Sequence, residues 1–191
     1  MKYEITNIEM NWNGNILHRI KALKDFTLIN GKEIHKGDLG GWVENENNLS
    51  QKGLCWIYDE CKMYENAERS GNSIGYGYSQ QSEHSRQYGD SQQYDYSRQF
   101  GDSHQYGDSQ QFGHSIQFGY SHQFGNSQQF GYSWQSGNSK QFGESKADKN
   151  MNLSGNSLFE TEEDIVILKS PTSGRQITIG SDRNICTGYF E

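Results

Sequence analysis

The fold class this sequence predicts is an all-β solenoid: a left-handed, triangular, single-stranded parallel β-helix of about 18 residues per coil. Three observations predict it. Every sixth residue from Ser73 to Ser145 is Ser, and every sixth from Gln81 to Gln141 is Gln. An aromatic usually follows the Gln and a Gly follows the aromatic, as in Gln105-Tyr106-Gly107 and Gln117-Phe118-Gly119. The third is a memory at 18 residues: Gln92, Gln110 and Gln128 recur at that lag, as do His104 and His122, and Tyr78 and Tyr96. A short fixed period marks repeats that bury an inner face only by stacking on their neighbours. Gly/Ser/Tyr/Gln-rich sequence also suits a disordered, prion-like tract. Such a tract has no reason to keep a strict phase or to be flanked by ordinary hexads in the same phase.

Residues 1–50 read as a small β cap. Two alternating runs, Lys2 to Met10 and Asn15 to Leu23, flank Asn11-Trp12-Asn13-Gly14 as in a hairpin. Gly37-Asp38-Leu39-Gly40-Gly41 is a turn. The cap is needed because the open end of a parallel coil exposes unpaired N–H and C=O groups. Trp42, Val43 and Trp56 are the apolar residues expected to cover it.

Residues 51–160 read as the solenoid. Cys55, Cys61 and Ala67 hold the slot later taken by Ser, Ile57 and Met63 the slot of Gln, and Tyr58 and Tyr64 the aromatic slot. The phase runs on through Leu153 and Phe159. Strand residues alternate faces, so two registers exist. Turning the aromatics inward would also bury Arg86, Arg98 and Lys140, at several kcal/mol each. Leaving the aromatics outside forgoes roughly 1.5–3 kcal/mol each, a comparable sum. Ser and Gln are expected inward because a tight interior needs a constant small residue. Stacked Gln side chains are also expected to satisfy one another along a ladder. Residues 161–191 read as a closing β-hairpin, with Asp164 to Leu168 and Gln176 to Ile179 joined by the turn around Pro171-Thr172-Ser173-Gly174.

The residues Arg19-Ile20-Lys21-Ala22-Leu23-Lys24-Asp25-Phe26, Lys36-Gly37-Asp38-Leu39-Gly40-Gly41-Trp42-Val43-Glu44, Asn48-Leu49-Ser50-Gln51 and Cys55-Trp56-Ile57-Tyr58-Asp59 resemble the leading segment of YdcK-like β-solenoid proteins. The resemblance covers about residues 17–67. It implies hexapeptide repeats whose aliphatic and small residues face inward, in a bacterial or prophage protein. It implies no activity for any residue here. The repeats depart from that family in carrying Gln where it has an aliphatic residue.

Composition narrows the function. Hydrophobic content is 31%, too low for an aliphatic core over the whole length. The net charge is −7, and the block from Ser70 to Ser145 carries six acidic and three basic residues. Nucleic acid is therefore not an expected partner. No apolar run follows Met1-Lys2-Tyr3, so neither a membrane nor a signal peptide is expected, and the three unspaced Cys fit a reducing cytoplasm. His84, His104, His114 and His122 sit at repeat slots and not on an inserted loop, as an acyltransferase His would. His104 and His122, about 4.8 Å apart if stacked on adjacent coils, are too few for a structural metal site. No cofactor is expected. The chain reads as a non-enzymatic scaffold for structure or protein interaction. The alternatives are a phage-encoded antagonist that occludes a host defence protein and, ranked last, an acyltransferase-like enzyme. With Ser and Gln inward, Tyr88, Tyr106, Phe124 and Phe142 form one outward column, Tyr94, Phe112 and Phe130 a second, and Phe100 and Phe118 a third. Columns of this length call for cover, and the expected partner is a second copy of the chain or an unidentified protein.

Overall fold

The computed structural model describes residues 1–105 without a break. Beyond them it describes chiefly the two-residue strands of the repeat and three four-residue strands near the C-terminus. The described residues contain strands and turns and no helix. β1 (Tyr3–Trp12) and β2 (Asn15–Ala22) form an antiparallel hairpin. Its turn residues Asn13 and Gly14 take φ of 51° and 89°, the two positive values that a right-twisted two-residue hairpin needs. β3 (Phe26–Thr27) and β4 (Glu33–Ile34) make a second, minimal hairpin. β5 (Leu39–Val43) is the joint between cap and coil. It pairs antiparallel with β2 on one edge and parallel with Lys62–Met63 on the other.

From there the chain winds through two-residue strands. β6 (Trp56–Ile57), β7 (Lys62–Met63) and β8 (Glu68–Arg69) begin three parallel stacks. One becomes a nine-stranded sheet that includes the cap, and the other two have six strands each. From β6 onward the rungs join residues 18 apart: Gln80 to Arg98, Arg86 to His104, Gln92 to Gln110. Backbone bonds hold the rungs, such as Gln80 N to Ser97 O at 3.0 Å and Arg86 N to Ser103 O at 3.0 Å. The 18-residue memory is therefore the coil length. Near the C-terminus Val166–Lys169, Gln176–Ile179 and Ile185–Gly188 pair antiparallel, one strand more than the sequence suggests.

The interior is Ser and Gln. Gln81, Gln87 and Gln93 are fully buried, as are Ser79, Ser85 and Ser91, while Tyr88, Tyr94 and Phe100 are half-buried on the outside. The expected register holds, but the expected Gln-to-Gln ladder does not. Gln87 Nε2 does donate to Gln105 Oε1 at 3.3 Å. The prevailing pattern is different: each amide donates to two backbone carbonyls. Gln93 Nε2 reaches Gln80 O at 3.0 Å and Ser97 O at 3.2 Å, and Gln99 Nε2 reaches Arg86 O and Ser103 O, both at 3.0 Å. An NH2 group has two hydrogens, and the carbonyls flanking the corners lie nearer than the next coil's amide. The Ser hydroxyl is equally local. Ser85 Oγ donates to Ser82 O at 2.7 Å and Ser97 Oγ to Tyr94 O at 2.7 Å. The amide nitrogens of the core are thus tied largely to the backbone, whereas the amide oxygens of Gln87, Gln99 and Gln117 and the Ser91 hydroxyl are buried without a protein hydrogen-bond partner.

The first coil keeps an apolar core. Cys55, Ile57, Cys61, Met63 and Ile74 are buried with Tyr3, Ile20, Leu28, Ile34, Val43 and Leu49 of the cap. Trp56 occupies an outward slot yet is fully buried, because Phe26 and Tyr3 pack edge-on against it at 5.5 and 6.4 Å. Trp42 and Val43 are buried as well, so the three residues expected to close the coil end are all covered. The cap wraps around the sides of the first coil in addition to lying across its end.

Candidate functional site: a tyrosine-lined edge

The corner between β9 (Ile74–Gly75) and β10 (Gln80–Gln81), with the same corner one coil on, carries the exposed aromatics of the described residues, Tyr78 and Tyr96. It is built from Tyr76-Gly77-Tyr78 and, one coil on, Tyr94-Asp95-Tyr96. Tyr58, Tyr76 and Tyr94 stack with ring centroids 4.7 and 5.0 Å apart and planes within 8° and 2° of parallel. Tyr78 and Tyr96 form a second stack at 5.1 Å and 3°. These spacings follow from the coil rise, which sets strand separation near 4.8 Å. The single-residue corner, Gly77 at φ 63° and Asp95 at φ 56°, turns the chain sharply enough to leave a tyrosine on each side of it.

The two stacks differ in exposure. Tyr58 is 7% exposed, whereas Tyr78 and Tyr96 are 52% and 51% exposed. The loop between β3 and β4 accounts for the difference. Lys32 Nζ lies 3.8 Å from the Tyr58 ring centroid and 5.7 Å from that of Tyr76, and Asn30 Nδ2 donates to the Tyr76 hydroxyl. Burial pushes the hydroxyls of Tyr58, Tyr76 and Tyr94 above their ordinary range, so all three stay neutral. The edge thus offers neutral rings and hydroxyl groups, and its inner face already carries the Lys32 ammonium in a cation–π contact.

Of the residues expected to form the three outward aromatic columns, the described ones are Tyr88, Tyr94 and Phe100, one from each column. Tyr94 lies in the inner stack. Tyr88 stands on another side of the coil. Phe100 lines a cleft of about 240 Å³ with Asn13, Tyr64, Gln80, Glu83 and Arg98, where the β1–β2 turn overhangs the coil. Tyr106, Phe112, Phe118, Phe124, Phe130 and Phe142 lie outside the described residues. Sequence reasoning passed over Tyr78 and Tyr96 as a surface. Their recurrence at lag 18 was the signal that could have found them.

Among the described residues no group of three or more His, Cys, Asp or Glu converges. His104 and His122 do stack, their centroids 4.9 Å apart. No helix among the described residues is long and apolar enough to cross a membrane.

No family model matches the chain. It is similar to the "Uncharacterized acetyltransferase YdcK" of Escherichia coli (strain K12), with 37% identity over 59 residues. That stretch is 30% of this chain and 17% of the relative, so the match spans about a sixth of the relative's length. It agrees with the YdcK-like resemblance, as does the solenoid itself. It also overturns the expectation that the chain is not an enzyme, since the relative bears an acetyltransferase's name. That expectation rested on His84, His104, His114 and His122 sitting at repeat slots and not on an inserted loop. In a coil, residues that meet are 18 apart in the chain, so linear spacing is a poor detector of a site.

Proposed function

We propose that the chain is a β-solenoid binding scaffold that engages protein surfaces through its tyrosine edge, in the first instance a second copy of itself. The observation that carries this reading is the pair of exposed, parallel rings of Tyr78 and Tyr96 beside the inner stack. Tyrosine supplies large contact area at low conformational entropy and is enriched at interfaces. Coil stacking fixes these rings before any partner arrives, which lowers the ordering cost of association. Two-fold pairing is the commonest way to cover identical surfaces. Light scattering across a micromolar concentration series tests it. The wild type should approach twice the 21.9 kDa chain mass. Tyr78→Ser/Tyr96→Ser should stay near one chain mass with an unchanged circular dichroism spectrum. A wild type that remains monomeric throughout rejects self-pairing. The occlusion of a host protein by a phage-encoded chain would use the same edge. It is supported if a purified host factor binds the wild type one-to-one and loses affinity for the double variant.

The acetyltransferase name of the relative favours a second reading, acyl transfer. Its test is the release of free thiol from acetyl-CoA in the presence of primary-amine and hydroxyl acceptors. Release no faster than without protein rejects it.

A further inference from the structure

The aromatic slots of the repeat stack in columns, and one column has a rung without a ring. Tyr58, Tyr76 and Tyr94 stack unbroken, with centroids 4.7 and 5.0 Å apart. In the next column Tyr64 and Phe100 stand two coils apart, and the residue between them is Ser82. Backbone bonds from Tyr64 N to Gln81 O at 3.2 Å and from Ser82 N to Gln99 O at 3.1 Å place the three on successive rungs. Rungs near 4.8 Å apart put the Tyr64 and Phe100 rungs roughly 9.6 Å apart. That separation admits one further ring in contact with both, since aromatic pairs meet at centroid distances of about 4.5–7 Å. The cleft of about 240 Å³ lies here, lined by Tyr64, Ser82 and Phe100 and by Asn13 of the overhanging turn. Tyr64 is 8% exposed and packs with Leu17 and Trp42, so that wall is fixed before anything binds. The cleft's lining also carries both signs of charge, in Arg98 and Glu83. Both are exposed, and neither forms an ion pair among the described residues. The corner at Glu83 is held by its N–H, which donates to Glu65 Oε2 at 2.8 Å.

We propose that this gap is a binding site for a free aromatic α-amino acid, whose ring takes the rung that Ser82 leaves open. Its carboxylate pairs with the Arg98 guanidinium, which matches carboxylate geometry, and its ammonium with the Glu83 carboxylate. A zwitterion with one ring is the smallest molecule that answers all three features. An aromatic acid without an amine leaves Glu83 beside an anion, and an aromatic amine without a carboxylate leaves Arg98 unanswered. At about 240 Å³ the cleft is smaller than the roughly 300–1,000 Å³ of sites for drug-sized ligands, so one amino acid suits it better than a longer molecule. The site is independent of self-pairing through Tyr78 and Tyr96, neither of which lines it.

The test is a titration of the full chain with L-phenylalanine, followed by NMR. A dissociation constant on the order of 1 mM is expected for a ligand of this size. β-Cyclohexyl-L-alanine, which keeps both charges but has no aromatic face, should bind more weakly. N-acetyl-L-phenylalanine and L-phenylalaninamide each lack one charge and resemble the two ends of a peptide. Each should bind about two- to fivefold more weakly, the loss expected for one exposed ion pair. Ser82→Tyr puts a ring in the gap, as Tyr76 does in the neighbouring column. It should abolish binding and raise the melting temperature. Arg98→Gln places there the residue found one rung earlier at Gln80. It should weaken binding about two- to fivefold, with the circular dichroism spectrum unchanged. The proposal is overturned if several millimolar L-phenylalanine leaves the spectrum of the wild type unmoved, or if Ser82→Tyr binds it as the wild type does. It is equally overturned if the cyclohexyl compound or both capped forms match L-phenylalanine, or if Arg98→Gln binds with full affinity.

Discussion

Arg69 and Gly75 stand in two consecutive slots of the kind that Gln fills from residue 81 onward. The Arg69 side chain is 1% exposed. Its Nη2 donates to Gln93 Oε1 at 3.0 Å and to Gln81 Oε1 at 3.4 Å. A Cβ built on Gly75 would come within 2.5 Å of Arg69 Nη1 and 2.7 Å of Cys61 Sγ. The glycine is therefore the space that the guanidinium occupies. A buried cation is strongly desolvated, and burial holds the Arg69 pKa below its ordinary range, so its contribution to stability is poor. Gly75→Gln should destabilise the coil by about 1–3 kcal/mol through overpacking. Arg69→Gln in the same chain should recover most of that loss. The measurement is a double-mutant cycle in urea, with a coupling energy of about 1 kcal/mol or more. Additive effects would mean that the two slots do not share one space.

At the scale of the coil, each corner turns on one residue with left-handed φ. Where that residue is not Gly, the backbone is unchanged: Glu65 and Glu83 take 57° and 58°, in the column that Gly101 continues at 72°. A side chain in this region is strained by about 1–2 kcal/mol, a penalty that glycine avoids. Glu83→Gly should therefore stabilise by about 0.5–1 kcal/mol after the extra freedom of the unfolded chain is subtracted. Gly101→Ala should destabilise for two reasons, the φ itself and a Cβ within 2.8 Å of Gly119 N on the next coil. Thermal melts of both variants measure this. A stable Gly101→Ala chain would show that the corner relaxes freely.

For the whole molecule, the cap and the pH response matter most. Gln51 holds the first strand as a neighbouring strand would, its side chain accepting from Lys2 N at 2.8 Å and donating to Tyr3 O at 3.0 Å. Removing residues 1–45 would bare Trp56, Ile57 and Met63 together with the unpaired edge of the Lys62–Met63 rung, and should give aggregates or fibres on size-exclusion chromatography. A monomeric truncation would contradict the capping role. Acid should weaken the fold. His104 has a pKa lowered on folding, so the unfolded chain binds more protons than the folded chain does around that range. Stability from this group is complete above 6.5, the ordinary value, and is lost as pH falls through it to the lowered value. The urea midpoint should drop between pH 7.5 and 5.5, and drop less in His104→Gln/His122→Gln.

The amino-acid sequence by itself determined the coil. A period of six sets the length of a side, a memory at 18 sets the coil, and Ser must face inward because only a small residue fits at every rung. The cap's hairpin was equally legible, since Asn13-Gly14 between alternating runs has one good backbone solution. Three matters were decided only by tertiary structure. The Gln amides turned to backbone carbonyls, because the distance from an amide to a corner is a property of the closed coil and not of the repeat. Trp56, in an outward slot, became core, because the fold of residues 1–45 brings Phe26 and Tyr3 over it. Among the described residues Tyr78 and Tyr96 are the exposed aromatics, while Tyr88, Tyr94 and Phe100, each following a Gln, are half-buried. Period-two alternation assigns inside and outside along a strand, but the corner between strands decides how far a side chain projects. Contacts between residues 18 apart exist only once the chain has wound, so a site assembled from them is written in the column and not along the line.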